Sequence, residues 1–258
     1  MKRTLDQELV RLMSDQAELA EQVISAELEL ETVKTEMAQF QRRYYEMVGR
    51  LYAQLDELDA QIANAQAGLF PDDVAAQAHA QAAQEQARKS AEEAGLIEAQ
   101  PSPPTVITPQ LKKAFRRAAM MMHPDRATTD PERQRRHGLM IKLNLAYERG
   151  DQQAIENLVL EFIQNPAVME ESEDPELIAD QGVELRVLKM IRRTEQLRRR
   201  MDEIQGELQD KKHADIYKLK ITIERAELKG GNPLGDLAEQ LLQELSGRKI
   251  RLEEIVQG

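Results

Sequence analysis

LKKAFRRAAMMMHPDR, residues 111–126, decides the reading of the fold, together with IKLNLAYE at 141–148. Leu111, Phe115, Ala118 and Met122 are spaced by four, three and four residues, which lines one side of a helix. Lys112, Lys113, Arg116 and Arg117 fall outside that stripe, so the same helix is expected to turn a dense cationic face to solvent. Thr108 suits the N-cap and Pro109 the first helical position, where a missing N–H costs nothing. Pro124 ends the helix, because its ring disfavours helical geometry at His123 and cannot donate to the ladder. The turn is therefore expected to present an imidazole and a carboxylate side by side at an accessible polar tip.

The partner helix shows the matching stripe Leu139, Met140, Leu143, Ala146 and Tyr147. Gly150 stops it and Asp151 can cap a short amphipathic successor carrying Ile155, Leu158, Val159 and Phe162. Two short antiparallel helices bury only a small core. Additional packing is required.

Residues 108–150 resemble the J domain of DnaJ-like co-chaperones: LKKAFRRAA is similar to its second helix, HPD to its signature loop and LNLAYE to its third helix. This covers about a sixth of the chain. The resemblance implies docking on a DnaK-type chaperone ATPase and stimulation of its ATP hydrolysis. Lys112, Lys113, Arg116 and Arg117 would form the docking face, and His123, Pro124 and Asp125 the trigger, with the neighbouring Arg126. A basic helix of this kind steers onto an acidic surface, an effect that salt weakens. Asp125 would accept charge-assisted hydrogen bonds from a partner arginine. Where the family carries its first helix, with a Tyr and a Leu-Gly pattern, this chain has GLIEAQPSPPTVI. Leu96, Ile97, Val106 and Ile107 are therefore expected to cover the open side of the hairpin. Ala127 stands where the family often has Asn.

Only 3% of the 258 residues are aromatic, 31% are charged, and Trp and Cys are absent, a composition suited to long helices rather than a thick globular core. No disulfide or thiolate metal site is available, which fits a reducing cytoplasm. The amino terminus, MKRTLDQELV, lacks an apolar run, so neither a signal peptide nor a membrane span is expected. The net charge of −11 argues against a general nucleic-acid binder. Residues 108–151 nevertheless hold ten Lys or Arg against five Asp or Glu, a basic island in an acidic chain.

From Leu5 to Leu51 apolar residues alternate steps of four and three, with Gln16 in the seam, the heptad signature of a coiled coil. An extra step at Leu51 is expected to unwind the supercoil locally without ending the helix, which should run to about residues 68–71. Asp72 or Asp73 can cap an Ala- and Gln-rich helix reaching about Ala94, with Gly95 as its stop, and QPSPPT forms an extended linker. A second heptad helix starts near Val183, lapses across 211–215, resumes, and stops at Gly230-Gly231-Asn232-Pro233. The expected organisation is a coiled coil at 1–70, a helical spacer at 71–99, a J-like module at 100–165, an acidic linker at 166–182, a second coiled-coil helix at 183–229 and an amphipathic tail at 230–258. The fold class is all-α: a J-like hairpin flanked by long helices that pair as an antiparallel stalk or as a homodimer. The run Arg192, Arg193, Arg198, Arg199, Arg200 reads as a solvated face.

Four scattered histidines offer no second ligand at helical spacing, and no Gly-rich phosphate loop occurs. A tip of this kind has no nucleophile and cannot exclude water. The chain is thus expected to be a non-enzyme without cofactor or metal, a co-chaperone whose coiled coils target an unidentified client. The alternative is a structural adaptor with a degenerate hairpin, which replaces the co-chaperone expectation if the prong is wedged into the chain's own stalk with its tip inaccessible. Nucleic-acid binding through the Lys112–Arg117 face lacks stacking aromatics.

Overall fold

The computed structural model describes residues 2–99, 103, 104, 106–127, 129–164 and 183–257. Every regular element among them is helical, so the fold is all-α. The order is α1 (Lys2–Tyr44), a π-helical turn (Tyr45–Gly49), α2 (Arg50–Leu69), α3 (Val74–Ala99), α4 (Pro109–Met122), a 3₁₀ turn (Pro124–Arg126), α5 (Asp130–Glu148), α6 (Gln152–Gln164), α7 (Val183–His213), α8 (Asp215–Glu227) and α9 (Pro233–Gln257). No helix among the described residues is long and apolar enough to cross a membrane. The acidic linker expected at 166–182, and residues 100–102 and 105 of the linker before the hairpin, lie outside the described residues.

The chain divides into two units: Met1–Glu36 with Pro103–Ala214, and Met37–Ser102 with Asp215–Gly258. This differs from a division in chain order, because α1 gives its first part to one unit and its last turns to the other.

The first unit has a core of Leu111, Phe115, Ala118, Ala119 and Met122 from α4, the stripe Leu139, Met140, Leu143, Ala146 and Tyr147 from α5, and Ile155, Val159 and Phe162 from α6. Phe115 and Tyr147 meet edge to face at 5.0 Å. The open side of the hairpin is not closed as expected. Ile24 and Leu28 of α1 join the core, whereas Val106 is exposed and only Ile107 packs against it. Leu96 and Ile97 belong to the other unit. The reason lies in α1, where Ile24 and Leu28 make a second apolar stripe beside the heptad seam. The Tyr147 hydroxyl and Thr32 Oγ1, 2.8 Å apart, tie α5 to α1.

Met190, Arg193 and Leu197 of α7 lie beside Met13, Ala20 and Ile24 of α1, Arg200 meets Glu27 and Glu207 meets Lys34, so position rises along both helices, while Lys212 reaches back to Glu29. The two long helices therefore pair within the chain and in parallel, not as the antiparallel stalk that was one of the two arrangements expected. Heptad rhythm specifies which faces meet and is silent on direction. α5 also begins well before the expected segment at 141, because Thr129 caps it by accepting the Glu132 N–H (3.4 Å). Gly150 ends it with φ +67°, and a Cβ there would fall 2.5 Å from Pro104 Cβ.

In the second unit the extra heptad step appears as the π-helical turn at Tyr45–Gly49, which absorbs the surplus residue while the helix continues to Leu69. The segment expected to be a spacer is one arm of an antiparallel hairpin. Gln84 donates to Asn64 (3.0 Å) and Gln77 to the Ala67 carbonyl (3.1 Å), over buried Ala63, Ala67 and Ala80. Alanine lets the two backbones approach closely. Asp73 caps α3, which runs through Gly95 to Ala99. α9 contributes Leu241 and Leu245 to a cluster with Val48 and Leu55.

Candidate functional site

α4 forms for the reasons its sequence gives: Thr108 accepts the Leu111 N–H (3.1 Å), Pro109 follows, and its apolar stripe is buried. Lys113, Arg116 and Arg117 are exposed and Lys112 is half-buried. None of the four forms an ion pair with an acid among the described residues. The cationic face is open to solvent.

The tip is not. After Met122 the backbone turns extended at His123 and closes a single 3₁₀ turn over Pro124–Arg126. His123 Nδ1 accepts the Asp125 N–H (3.3 Å), which leaves the ring proton on Nε2. Nε2, the nitrogen that carries the proton in this tautomer, lies 3.2 Å from Glu27 Oε2 of α1. His123 is only 5% exposed. This corrects the expectation of an accessible imidazole: the second apolar stripe of α1 docks on the hairpin and brings Glu27 over the ring. Pro124 is half-buried and Arg126 exposed. Asp125 is partly accessible through one oxygen, while Oδ2 is buried, 3.4 Å from His123 Nδ1, and finds no donor.

Arginines hold this turn from three directions. Arg136 of α5, itself buried, donates to the Met121 carbonyl (3.1 Å) and the His123 carbonyl (3.4 Å), binds Glu132 through Nε (2.5 Å), and lies 5.2 Å over the Phe162 ring. Arg126 donates to the Met120 carbonyl. The carbonyls left over at the end of α4 thus receive cationic donors, as a helix C-terminus favours. From α7, Arg200 binds Glu27 through Nε (3.2 Å) and a terminal nitrogen (3.1 Å). Burial pushes the Glu27 carboxyl up, but the nearby His123 and Arg200 outweigh it and hold the group below the usual range. Arg193 points to the same region with Nε buried and unpartnered. Burial lowers its pKa, Asp125 opposes that, and Arg126, Arg133 and Arg136 add to it.

A cleft of about 320 Å³ opens beside the turn, lined by Met13, Ala20, Ile24, Met120, Asp125 and Arg193 among others. Of the eight residues expected to bind a partner, Lys113, Arg116, Arg117 and Arg126 face solvent, Lys112, Pro124 and Asp125 are half-buried, and His123 is enclosed. The sequence reading missed Glu27, Glu132, Arg136, Arg193 and Arg200. The arginine run at 192–200 is not one solvated face: Arg192, Arg198 and Arg199 are exposed, but Arg193 and Arg200 turn inward. No three His, Cys, Asp or Glu side chains among the described residues are grouped to hold a metal ion. No family model, curated protein or solved structure matches the chain.

Proposed function

We propose that the chain is a J-type co-chaperone module whose α4 face docks on an acidic surface of a DnaK-type chaperone ATPase and stimulates its ATP hydrolysis. The observation that carries this reading is the row Lys113, Arg116 and Arg117. It stands on a helix fixed by a packed apolar face, and no acid of the chain among the described residues neutralises it. Such a surface steers an acidic partner and sets the encounter rate. In this reading the packed tip is the resting arrangement, and engaging the ATPase requires the contact of Glu27 with His123 to give way. The long helices locate a client or assembly.

The test is single-turnover ATP hydrolysis by a DnaK-type chaperone with the wild-type chain, His123→Gln, and the double variant Lys113→Glu/Arg116→Glu. Stimulation that falls with salt and vanishes on charge reversal supports the reading. Equal rates for wild type and the charge-reversed chain remove it, and this arm is decisive because those side chains are on the surface.

Burial of His123 favours a second reading, in which the turn is a structural keystone and the chain a helical adaptor. It predicts that Asp125→Asn leaves every partner-dependent activity unchanged, while Glu27→Gln loosens the fold.

A further inference from the structure

We infer that the groove between α4 and α6 is a docking site for an acidic amphipathic helix of a partner protein, which would share Lys113 and Arg117 with an ATPase docked on the α4 face. α6 carries more apolar surface than its own packing consumes. Ile155, Val159 and Phe162 enter the core, yet Leu160 and Ile163 remain 52% and 51% exposed. Those two lie on the edge that faces α4. Across from them Gln110, Lys113, Ala114 and Arg117 form one stripe of α4, and the two stripes enclose a groove of about 410 Å³.

The lining is divided by chemistry. Ala114, Ile155, Val159, Leu160 and Ile163 make an apolar floor and one wall, and Lys113 and Arg117 make a cationic rim. The one acid in the lining, Glu156, already accepts from Gln152 (2.7 Å). The two cations are one helical turn apart, about 6 Å along the axis. A helix of about three turns fits this pattern, with large aliphatic residues at i, i+3 or i+4 and i+7 against the floor and acids one turn apart against the rim. Nucleic acid suits it poorly, because no aromatic side chain lines the groove and exposed aliphatics would meet phosphates.

The occupant is therefore a protein segment with acids on one side and aliphatics on the other. The inference shares Lys113 and Arg117 with the co-chaperone reading and adds to them the apolar wall of α6, which takes no part in that mechanism. It is tested with a fluorescent synthetic peptide of leucines at helical spacing and glutamates elsewhere, with a composition-matched scrambled peptide and a lysine-for-glutamate peptide as controls. Anisotropy with the full chain should show saturable binding of the glutamate peptide only, weaker in salt. Leu160→Ser/Ile163→Ser should weaken it by about tenfold or more, the scale of losing two buried aliphatic contacts. ATPase stimulation by the same variant should be unchanged, so the two readings fail separately.

Several outcomes overturn the inference: equal binding by that variant, equal binding of the scrambled peptide, or no saturable binding of the glutamate peptide. So does a self-association in sedimentation equilibrium that Leu160→Ser/Ile163→Ser abolishes, which would assign the groove to a second copy. Cross-linking from position 160 to residues 165–182 of the same chain would assign it in cis, with the same consequence. Binding of a single-stranded RNA that the variant loses would make the surface a polyanion site instead.

Discussion

The outer face of α4 and the turn at its end are built from the same kinds of residue and treated in opposite ways. Along the face, Lys113, Arg116 and Arg117 stand in water without an acidic partner among the described residues. At the turn, Arg136, Glu27 and Glu132 are withdrawn from solvent and, with the half-exposed Arg200, matched to one another or to backbone carbonyls. An exposed charge costs little to keep and acts at a distance. A buried one holds a geometry, and removing its partner leaves a desolvated group behind. The face can thus change its charge without changing the fold, whereas the turn cannot.

The largest test of that difference is Arg136→Ala. It strips two carbonyls of their donor, uncovers the Phe162 ring and leaves Glu132, 8% exposed, without its main counter-charge. Urea unfolding followed by circular dichroism should show a loss of about 3–5 kcal/mol. A loss below about 1 kcal/mol, the scale of a surface pair, would erase the distinction.

Glu27 and Glu31, one turn apart on α1, sharpen it further because their environments act with opposite sign. Glu27 is held low by His123 and Arg200 against the cost of burial. Its stabilising contribution is complete above the ordinary carboxyl value, about 4.3, and is lost as pH falls through its lower folded value. Glu31 is raised, first by burial and then by Glu148 and Glu27, against the pull of Lys34. Its charged form costs stability near neutrality, and that cost is recovered as pH falls toward about 4.3. Glu27→Gln should therefore destabilise by about 1–3 kcal/mol at neutral pH, and Glu31→Gln should stabilise by up to about 1 kcal/mol. The second gain should shrink in mild acid while the first loss persists there. Parallel pH profiles for the two variants would contradict the assignment.

What the sequence disclosed follows from the range of the interaction that decides each feature. The stripe Leu111, Phe115, Ala118, Met122 and the stop at Gly150 rest on neighbours a few residues away, and both were legible. So was the continuation of the first helix past Leu51, where a surplus residue is absorbed as a π-helical turn. The early start of α5 has its own local signal, Thr129 three residues before Glu132. Ile24 and Leu28 were readable as a second stripe on α1, and such a stripe says that a helix is covered on more than one side. Its target was not readable. Nothing local assigns Glu27 to His123 or to Arg200, 173 residues away, or separates the inward Arg193 and Arg200 from the outward Arg192, Arg198 and Arg199. The periodicity of α7 is shared by many registers and by both directions of pairing. A charge on its flank is therefore read as solvated until a partner helix is placed beside it.

The smallest expected effect has the most diagnostic sign. α4 carries no acid in its first turn, and Lys112 and Lys113 sit at the end of that turn. A helix N-terminus bears partial positive charge and prefers acids by about 0.3–1 kcal/mol each when exposed. These lysines are placed against the interest of their own helix. Repulsion within the cluster formed with Arg116 and Arg117, spaced four residues away on the same helix, works in the same direction. Lys112→Glu/Lys113→Glu should therefore leave the fold intact and raise the urea midpoint slightly, by up to about 0.5 kcal/mol after screening. The same substitutions should abolish salt-sensitive association with an acidic partner. A variant that gains stability while losing binding shows a charge pattern kept for something outside the chain. A variant that loses stability would mean the lysines serve the fold, and the open face would then be no different in kind from the closed turn.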